Sequence, residues 1–365
     1  MFHRLKWARE EHGDFLLVAL LFIAFRLFSL LLFRPGGFIL EWSGYYLQDQ
    51  RAAELSNQGF YPFVHYWIEY PPLFPWLAVA AYRLSLLFPP WGTTNLWFNL
   101  FLGTMLLPFE IGNFILLYAT ALRVYDRDRA FRAAWLYAGL FAPVLIWLGW
   151  LDNFPLFFLL LALYLAITGR AILAGLATGV GFMVKVLPAL VAPTALRVLP
   201  RARQKLGYLL ATSLIAIFFA LPFLVINPSF LLATFVNMAS RPPWETIWAL
   251  LVGYYSGGFP PPLGERFDAA TASVPVYPAH LPWLSISLAF ASVYLFLYTR
   301  PLDWKEDIRP IAFTGLTLYL FMIYSKGYSP QWLVYVLPFI ILLLPHLRGV
   351  IYTVLFTLAN FLEFP

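Results

Sequence analysis

The chain has 365 residues, 61% hydrophobic, 19% aromatic and only 12% charged, with a formal net charge of +6. That is about half the charge content of an ordinary soluble domain, too little polar surface to coat a water-soluble globule, so lipid must supply the missing solvent. The absence of cysteine excludes disulfides, thiolate metal sites, iron–sulfur clusters and a cysteine nucleophile, and the basic excess lies in short clusters between apolar runs, as in cytoplasmic loops of membrane proteins rather than in a nucleic-acid-binding surface.

The polar opening carries Arg4, Lys6 and Arg9 and leads into an apolar run over 15–33. This run is too long for a signal-peptide core and is read as an uncleaved first span running outward from a cytoplasmic N-terminus. Residues 34–95 form a first outer loop, with Glu41, Asp49, Arg51, Glu54, His65, Glu69 and Arg83 among many aromatics. Within it, 73–88 is flanked by Pro71, Pro72, Pro75, Pro89 and Pro90 and interrupted by Arg83, which predicts an interfacial helix rather than a crossing. That choice leaves Arg123, Arg127, Arg129 and Arg132 on the inner side.

The remaining spans then alternate over 96–122, 133–150, 154–168, 171–184, 186–199 and 206–226, with Arg170, Arg197, Arg201, Arg203 and Lys205 in inner turns. Residues 227–282 make a second long outer loop rich in Pro, Gly and aromatics, with Arg241, Glu245, Glu265, Arg266, Asp268 and His280. Spans over 284–298, 311–324, 332–344 and a last short one over 350–361 follow. The expectation is an all-α integral membrane protein, a single membrane domain over 1–365. It would hold about eleven transmembrane helices and two large outer loops with interfacial helices. The spans over 154–168, 171–184 and 186–199 are short, as in helices that line a cavity or shelter behind neighbours. No internal repeat stands out.

No Walker loop, dinucleotide fingerprint, metal-ligand spacing or nucleophile elbow is present, so the chemistry is sought outside or within the membrane. Carboxylates just beyond a span, in an aromatic and partly dehydrated setting, gain proton affinity and can act as general bases. Glu41 and Asp49 are the candidates, although Asp49-Gln50-Arg51-Ala52-Ala53-Glu54 can equally open an amphipathic helix. Lys185 lies in an apolar stretch, where an ionisable group is a functional suspect. Asp152 has two readings, a substrate contact or a helix cap. Glu54 and Glu69 read as structural, and His65 and His280 are too isolated to hold a metal.

Several segments together resemble the GT-C superfamily of membrane glycosyltransferases. They are Glu41 after the first span, Asp49 followed after Gln50-Arg51 by two alanines, Gly59-Phe60-Tyr61-Pro62, and Tyr70-Pro71-Pro72-Leu73, all in the first outer loop. Gly149-Trp150-Leu151-Asp152-Asn153, Lys185-Val186-Leu187-Pro188 and Ser329-Pro330-Gln331-Trp332-Leu333 agree. Within that superfamily the sequence looks most like the polyprenol-phosphate-mannose-dependent mannosyltransferases, glycosyltransferase family 87 and the first mannosyltransferase of GPI-anchor synthesis. The resemblance implies inverting transfer of a sugar, mannose expected, from a polyprenyl-phosphate carrier to a lipid or glycan acceptor at the extracytoplasmic face of the plasma membrane. It implies no metal and no cofactor. The family's first acidic residue falls on Glu41 and its later loop aspartate on Asp49, whereas its second acidic residue falls on Ser43. The base assignment is therefore open between Glu41 and Asp49.

On this reading one base suffices, because a phosphate leaves without needing a proton. Lys185, Lys326 and Arg241 are the cations placed to meet that phosphate, while Tyr70, Pro71, Asp152 and Gln331 are expected to contact substrate. A rival reading is a transporter or flippase in which Arg26, Glu110 and Lys185 form a relay near the membrane midplane. A weaker third is a non-catalytic scaffold.

Overall fold

The structure is a computed structural model and describes residues 2–32, 48–89, 96–253, 260–273 and 281–363, which hold helices and turns and no strand. Its helices are α1 (Phe2–Leu32), α2 (48–54), α3 (Leu73–Ser85), α4 (Leu96–Val124), α5 (Arg127–Gly139), α6 (Phe141–Gly149), α7 (Asn153–Ile167) and α8 (Ala171–Phe182). They continue as α9 (Ala192–Val198), α10 (Ala202–Ile226), α11 (Pro228–Ser240), α12 (Ile247–Val252), α13 (Trp283–Thr299), α14 (Ile308–Tyr324), α15 (Leu333–Leu343) and α16 (Leu347–Glu363). Among the described residues three helices are long and apolar enough to cross a membrane: His12–Leu32 within α1, then α4 and α10. The pair α5 and α6 makes a fourth if read as one bent span, and seven shorter apolar helices complete the set. The expected apolar segments are thus present as helices, while length alone accounts for three or four crossings.

Two expected spans are broken rather than continuous, and proline is the cause in both. The segment 133–150 divides into α5 and α6, bent by 52°, with Leu140 extended between them. Pro143 offers no N–H to the carbonyl four residues back, that of Gly139, and its ring would clash there. The segment 186–199 becomes a 3-10 turn over Leu187–Val191 followed by the seven-residue α9, because Pro188 and Pro193 each remove a ladder donor. Within 73–88 the helix α3 covers Leu73–Ser85, 13 residues. At about 1.5 Å per residue it is too short to cross a bilayer upright.

Burial sorts the helices into a centre and a lipid-facing periphery. Every residue from Leu333 to Leu342 of α15 is buried, whereas α13 has no buried residue and α10 exposes Leu214, Phe218, Leu221 and Val225. Such apolar exposure is tolerable where the solvent is hydrocarbon. Peripheral α10 is anchored on α8 by close backbone approach. A Cβ on Gly175 would lie 2.3 Å from the Tyr208 carbonyl oxygen, and one on Gly179 would lie 2.5 Å from that of Thr212. Only glycine permits that spacing, the small-xxx-small device of membrane helix pairs.

A polar knot fastens four helices in the interior. Arg26 of α1 donates to Glu110 of α4 at 3.0 Å, Tyr137 of α5 donates to the other carboxylate oxygen at 3.2 Å, and Asn153 of α7 does so at 2.6 Å. The Arg26 guanidinium also lies 3.5 Å from the Phe22 ring centroid. Fully buried charge is tolerated here because both members are paired and hydrogen-bonded.

The two long loops fold on each other. The Trp67 N–H donates to the Arg266 carbonyl at 3.0 Å, its indole donates to Asp268 and Thr271 at 3.2 Å, and Thr234 of α11 donates to the Ile68 carbonyl at 2.6 Å. The Leu73 N–H reaches the Met183 carbonyl at 3.1 Å. The Trp67–Leu73 strip is thereby laid across the C-terminal end of α8.

Candidate active site

The strip ends in Glu69-Tyr70-Pro71-Pro72, whose two prolines enforce extended backbone before α3 begins. Four elements meet it: the turn after α8 with Lys185, the end of α11 with Arg241, the end of α14, and the 3-10 turn Pro330–Trp332 that opens α15. Between them lies a cavity of about 250 Å³ lined by Glu69, Tyr70, Lys185, Arg241, Gln331 and Trp332, with Trp244, Met238 and Phe321 as further walls.

Its floor is a buried ion pair. Lys185 Nζ donates to Asp152 Oδ1 at 2.5 Å, and the same oxygen accepts from the Tyr335 hydroxyl at 2.9 Å. Asp152 and Tyr335 are fully buried and Lys185 nearly so. The ammonium also stands 5.5 Å from the ring centroids of Tyr70 and Trp332, a partial aromatic cage for a desolvated cation. Asp152 makes no cap bond to α7, so the capping alternative is set aside. Its Oδ2 is buried and has no hydrogen-bond partner among the described residues.

The lining carries a second pair, Arg241 with Glu69. Arg241 Nε donates to Asn237 Oδ1 at 2.9 Å, fixing the guanidinium against the end of its own helix. Lys185 keeps two of its three donors beyond Asp152, and Arg241 keeps further N–H groups beyond Glu69 and Asn237.

Asp49, on α2, does not line the cavity and is 7% exposed. Burial raises its proton affinity well above the ordinary carboxylate range, the Glu69 charge raises it further, and Arg266 opposes both. Its Oδ2 has no hydrogen-bond partner among the described residues. Arg266 is buried too, donates from Nε to the Pro261 carbonyl at 2.8 Å, and stacks 5.3 Å from the Trp67 ring centroid. Desolvation draws its pKa down.

The structure thus brings Tyr70, Lys185, Arg241 and Gln331 to one cavity, with Asp152 bonded beneath it and Asp49 within electrostatic reach through Glu69. It does not bring Lys326 there. That ammonium donates to the Ala239 carbonyl at 2.9 Å and stands 5.4 Å from the Trp283 ring, while its backbone carbonyl accepts from Trp244 N and Thr246 Oγ1. Pro71 is buried behind the lining and shapes the backbone rather than the cavity surface. Glu41 lies outside the described residues, as does Ser43. The relay of the transporter reading divides in two: Arg26 and Glu110 close on each other, and Lys185 pairs with Asp152 instead.

Three members were not anticipated as site residues. Glu69, read as structural, precedes Tyr70-Pro71-Pro72 directly, a position that could have flagged it. Arg266 had no signal beyond its charge in a long loop. Tyr335 lies four residues after Gln331, one helical turn along the same face, but nothing in an apolar run distinguishes it.

The fold and this cavity define an α-helical membrane protein with a chamber, lined by charged and aromatic side chains, where its long loops meet the helix ends. No protein-family model matches the chain and no curated protein matches it. Among solved structures it is similar to the crystal structure of ArnT from Cupriavidus metallidurans bound to undecaprenyl phosphate. The TM-score is 0.55 at 17% identity, over 93% of this chain and 60% of that one. The likeness is one of fold, and this chain spans about 60% of the length of that chain.

Proposed function

We propose that the protein transfers a sugar from a polyprenyl-phosphate carrier to a lipid or glycan acceptor, as a GT-C-type glycosyltransferase working at the extracytoplasmic face. The observation that carries this reading is the cavity that Lys185 and Arg241 both line, each with unused donors. Two held cations suit a phosphate, and the Tyr70, Trp244 and Trp332 rings suit the face of a sugar. An apolar groove of about 370 Å³ runs between α13 and α14, lined by Phe290, Ala291, Leu320 and Tyr324, and shares Phe321 with the cavity. A charged chamber that shares a wall residue with an apolar groove suits a phosphate with a prenyl tail. The fold likeness to ArnT, whose crystal structure holds undecaprenyl phosphate, supports the same ligand class. Mannose is the sugar that the family resemblance favours.

In this reaction the acceptor hydroxyl oxygen attacks the anomeric carbon, the bond from that carbon to the phosphate oxygen breaks, and the bonding pair leaves with the polyprenyl phosphate. Asp49 takes the hydroxyl proton. Its burial and its neighbour Glu69 hold its proton affinity high enough for that role, and the oxygen without a partner among the described residues is the accepting atom. Lys185 and Arg241 stabilise the charge developing on the leaving phosphate. Asp152 and Tyr335 position Lys185, and Glu69 positions Arg241. A single displacement of this kind inverts the anomeric centre.

The test is transfer of labelled sugar from synthetic polyprenyl-phosphate mannose, then other polyprenyl-phosphate sugars, in membranes carrying the full chain. Labelled product that disappears in Asp49→Asn supports both the reaction and the base. Product retained in Asp49→Asn but lost in Glu41→Gln moves the base to Glu41. No product from any carrier sugar, alongside substrate flux into vesicles, returns the transporter reading.

A further inference from the structure

A second cavity lies at the opposite end of α7 and α8. From Asp152 the chain descends α7, whose 15 residues span about 22 Å, reaches Arg170, and climbs back through α8 to Lys185. A cavity of about 680 Å³ opens at that lower turn, between the start of α8 and the start of α10. Arg170, Arg201 and Arg203 line it, and Ile172, Leu173 and Leu206 continue its wall up the helices. Those three apolar side chains are 61%, 48% and 57% exposed, so the wall faces the hydrocarbon.

What marks these three arginines is that they line one cavity without an acidic partner. Arg123 pairs with Asp307, Arg127 with Asp14, Arg129 with Asp126 and Arg309 with Glu306. None of Arg170, Arg201 and Arg203 meets a carboxylate among the described residues. Three uncompensated guanidiniums repel one another at one opening. The amino-terminal ends of α8 and α10 border the same space and add positive potential.

We infer that this cavity is a binding site for an anionic phospholipid of the leaflet on that side, the side expected to be cytoplasmic. The phosphate would be held by the three guanidiniums in charge-assisted bonds. Its acyl chains would lie along Ile172, Leu173 and Leu206. The combination selects a lipid over a free anion, because the apolar wall runs directly from the charged mouth into the membrane. By filling the notch between α8 and α10 the lipid would brace the helix pair whose other end carries Lys185.

Native mass spectrometry of the full chain in detergent, titrated with phosphatidylglycerol and separately with phosphatidylcholine, tests this. Phosphatidylglycerol is expected to bind the wild type more tightly than phosphatidylcholine does. The triple variant Arg170→Gln, Arg201→Gln, Arg203→Gln is expected to lose about tenfold or more in that affinity, the scale of several basic residues at an anionic surface. A control triple, Arg129→Gln, Arg132→Gln, Arg348→Gln, removes as much exposed charge elsewhere and is expected to retain it. Ile172→Ser with Leu206→Ser is expected to weaken binding as well, and excess inorganic phosphate to compete poorly. Unchanged thermal unfolding of each variant without added lipid shows that it has folded. Equal loss in both triple variants, no loss in either, or equal binding of the two lipids overturns the proposal. So does effective competition by phosphate with the apolar variant unaffected, which would indicate a site for free anions.

Discussion

Asp49 holds a carboxyl whose neutral form the fold favours, since burial is the first cause of its raised proton affinity and Glu69 the second. As a base it must be ionised, so kcat/KM is expected to rise with pH through a value above the ordinary carboxylate range. Glu69→Gln removes a raising charge and is expected to move that limb to lower pH, whereas Arg266→Gln removes the opposing one and moves it higher. A pH profile of kcat/KM for the three proteins checks the order. The stability sign follows from the same shift: the contribution of neutral Asp49 is complete below the carboxyl's unfolded value and is lost as pH rises through the folded one. Asp49→Asn is therefore expected to be inactive yet at least as stable as the wild type at alkaline pH, read by thermal unfolding. Lys185→Met strands Asp152 as a buried, unpaired charge, at a cost of about 3–5 kcal/mol, and is expected to raise the donor KM. Adding Asp152→Asn is expected to recover the unfolding temperature and leave the donor KM raised, which separates the proposed contact of Lys185 with the donor from its pairing with Asp152.

Among elements, the least compressible joint is that of α8 with α10. Gly179→Val would drive a branched side chain into the Thr212 backbone and Ile215, and overpacking of this kind costs about 1–3 kcal/mol. A lowered unfolding temperature in detergent is the expected reading, with exposed Leu214→Val on the lipid face as the near-neutral control. The Arg26–Glu110 knot makes a second element-scale prediction. Arg26→Met alone is expected to destabilise severely, because it leaves Glu110 charged and buried, while Arg26→Met with Glu110→Gln is expected to recover most of the loss. The helices themselves were legible because long apolar runs have one solution in lipid. Their breaks were harder to read, since Pro108 and Pro222 lie inside continuous helices α4 and α10 whereas Pro143, Pro188 and Pro193 sit at interruptions. A proline breaks a helix or is absorbed by it according to what the neighbouring helices offer the freed carbonyl, and that is not written locally.

At the scale of the whole molecule the two cavities lie at opposite ends of α7 and α8, one for a proposed reaction and one for a proposed lipid. The native chain has no cysteine, so single-cysteine labelling has no background. Asp128→Cys and Glu265→Cys, both exposed, are expected to react with an impermeant maleimide from opposite sides of intact membrane vesicles. Labelling of both from one side would overturn the alternation of spans.

The sequence by itself determined that this is a helical membrane protein with polar loops long enough to carry chemistry, because composition and run length answer directly to the solvent. It also marked Lys185, Arg241, Asp152 and Asp49 as unusual, because ionisable groups beside apolar runs are costly wherever they end up. Only the tertiary structure decided that Asp152 takes Lys185 and Tyr335 as its donors, that Arg241 finds Glu69, and that Lys326 stands apart from the cavity. Those partners come from segments separated by 33 to 183 residues, and pairing over such distances is set by how the helices pack, which no local pattern encodes.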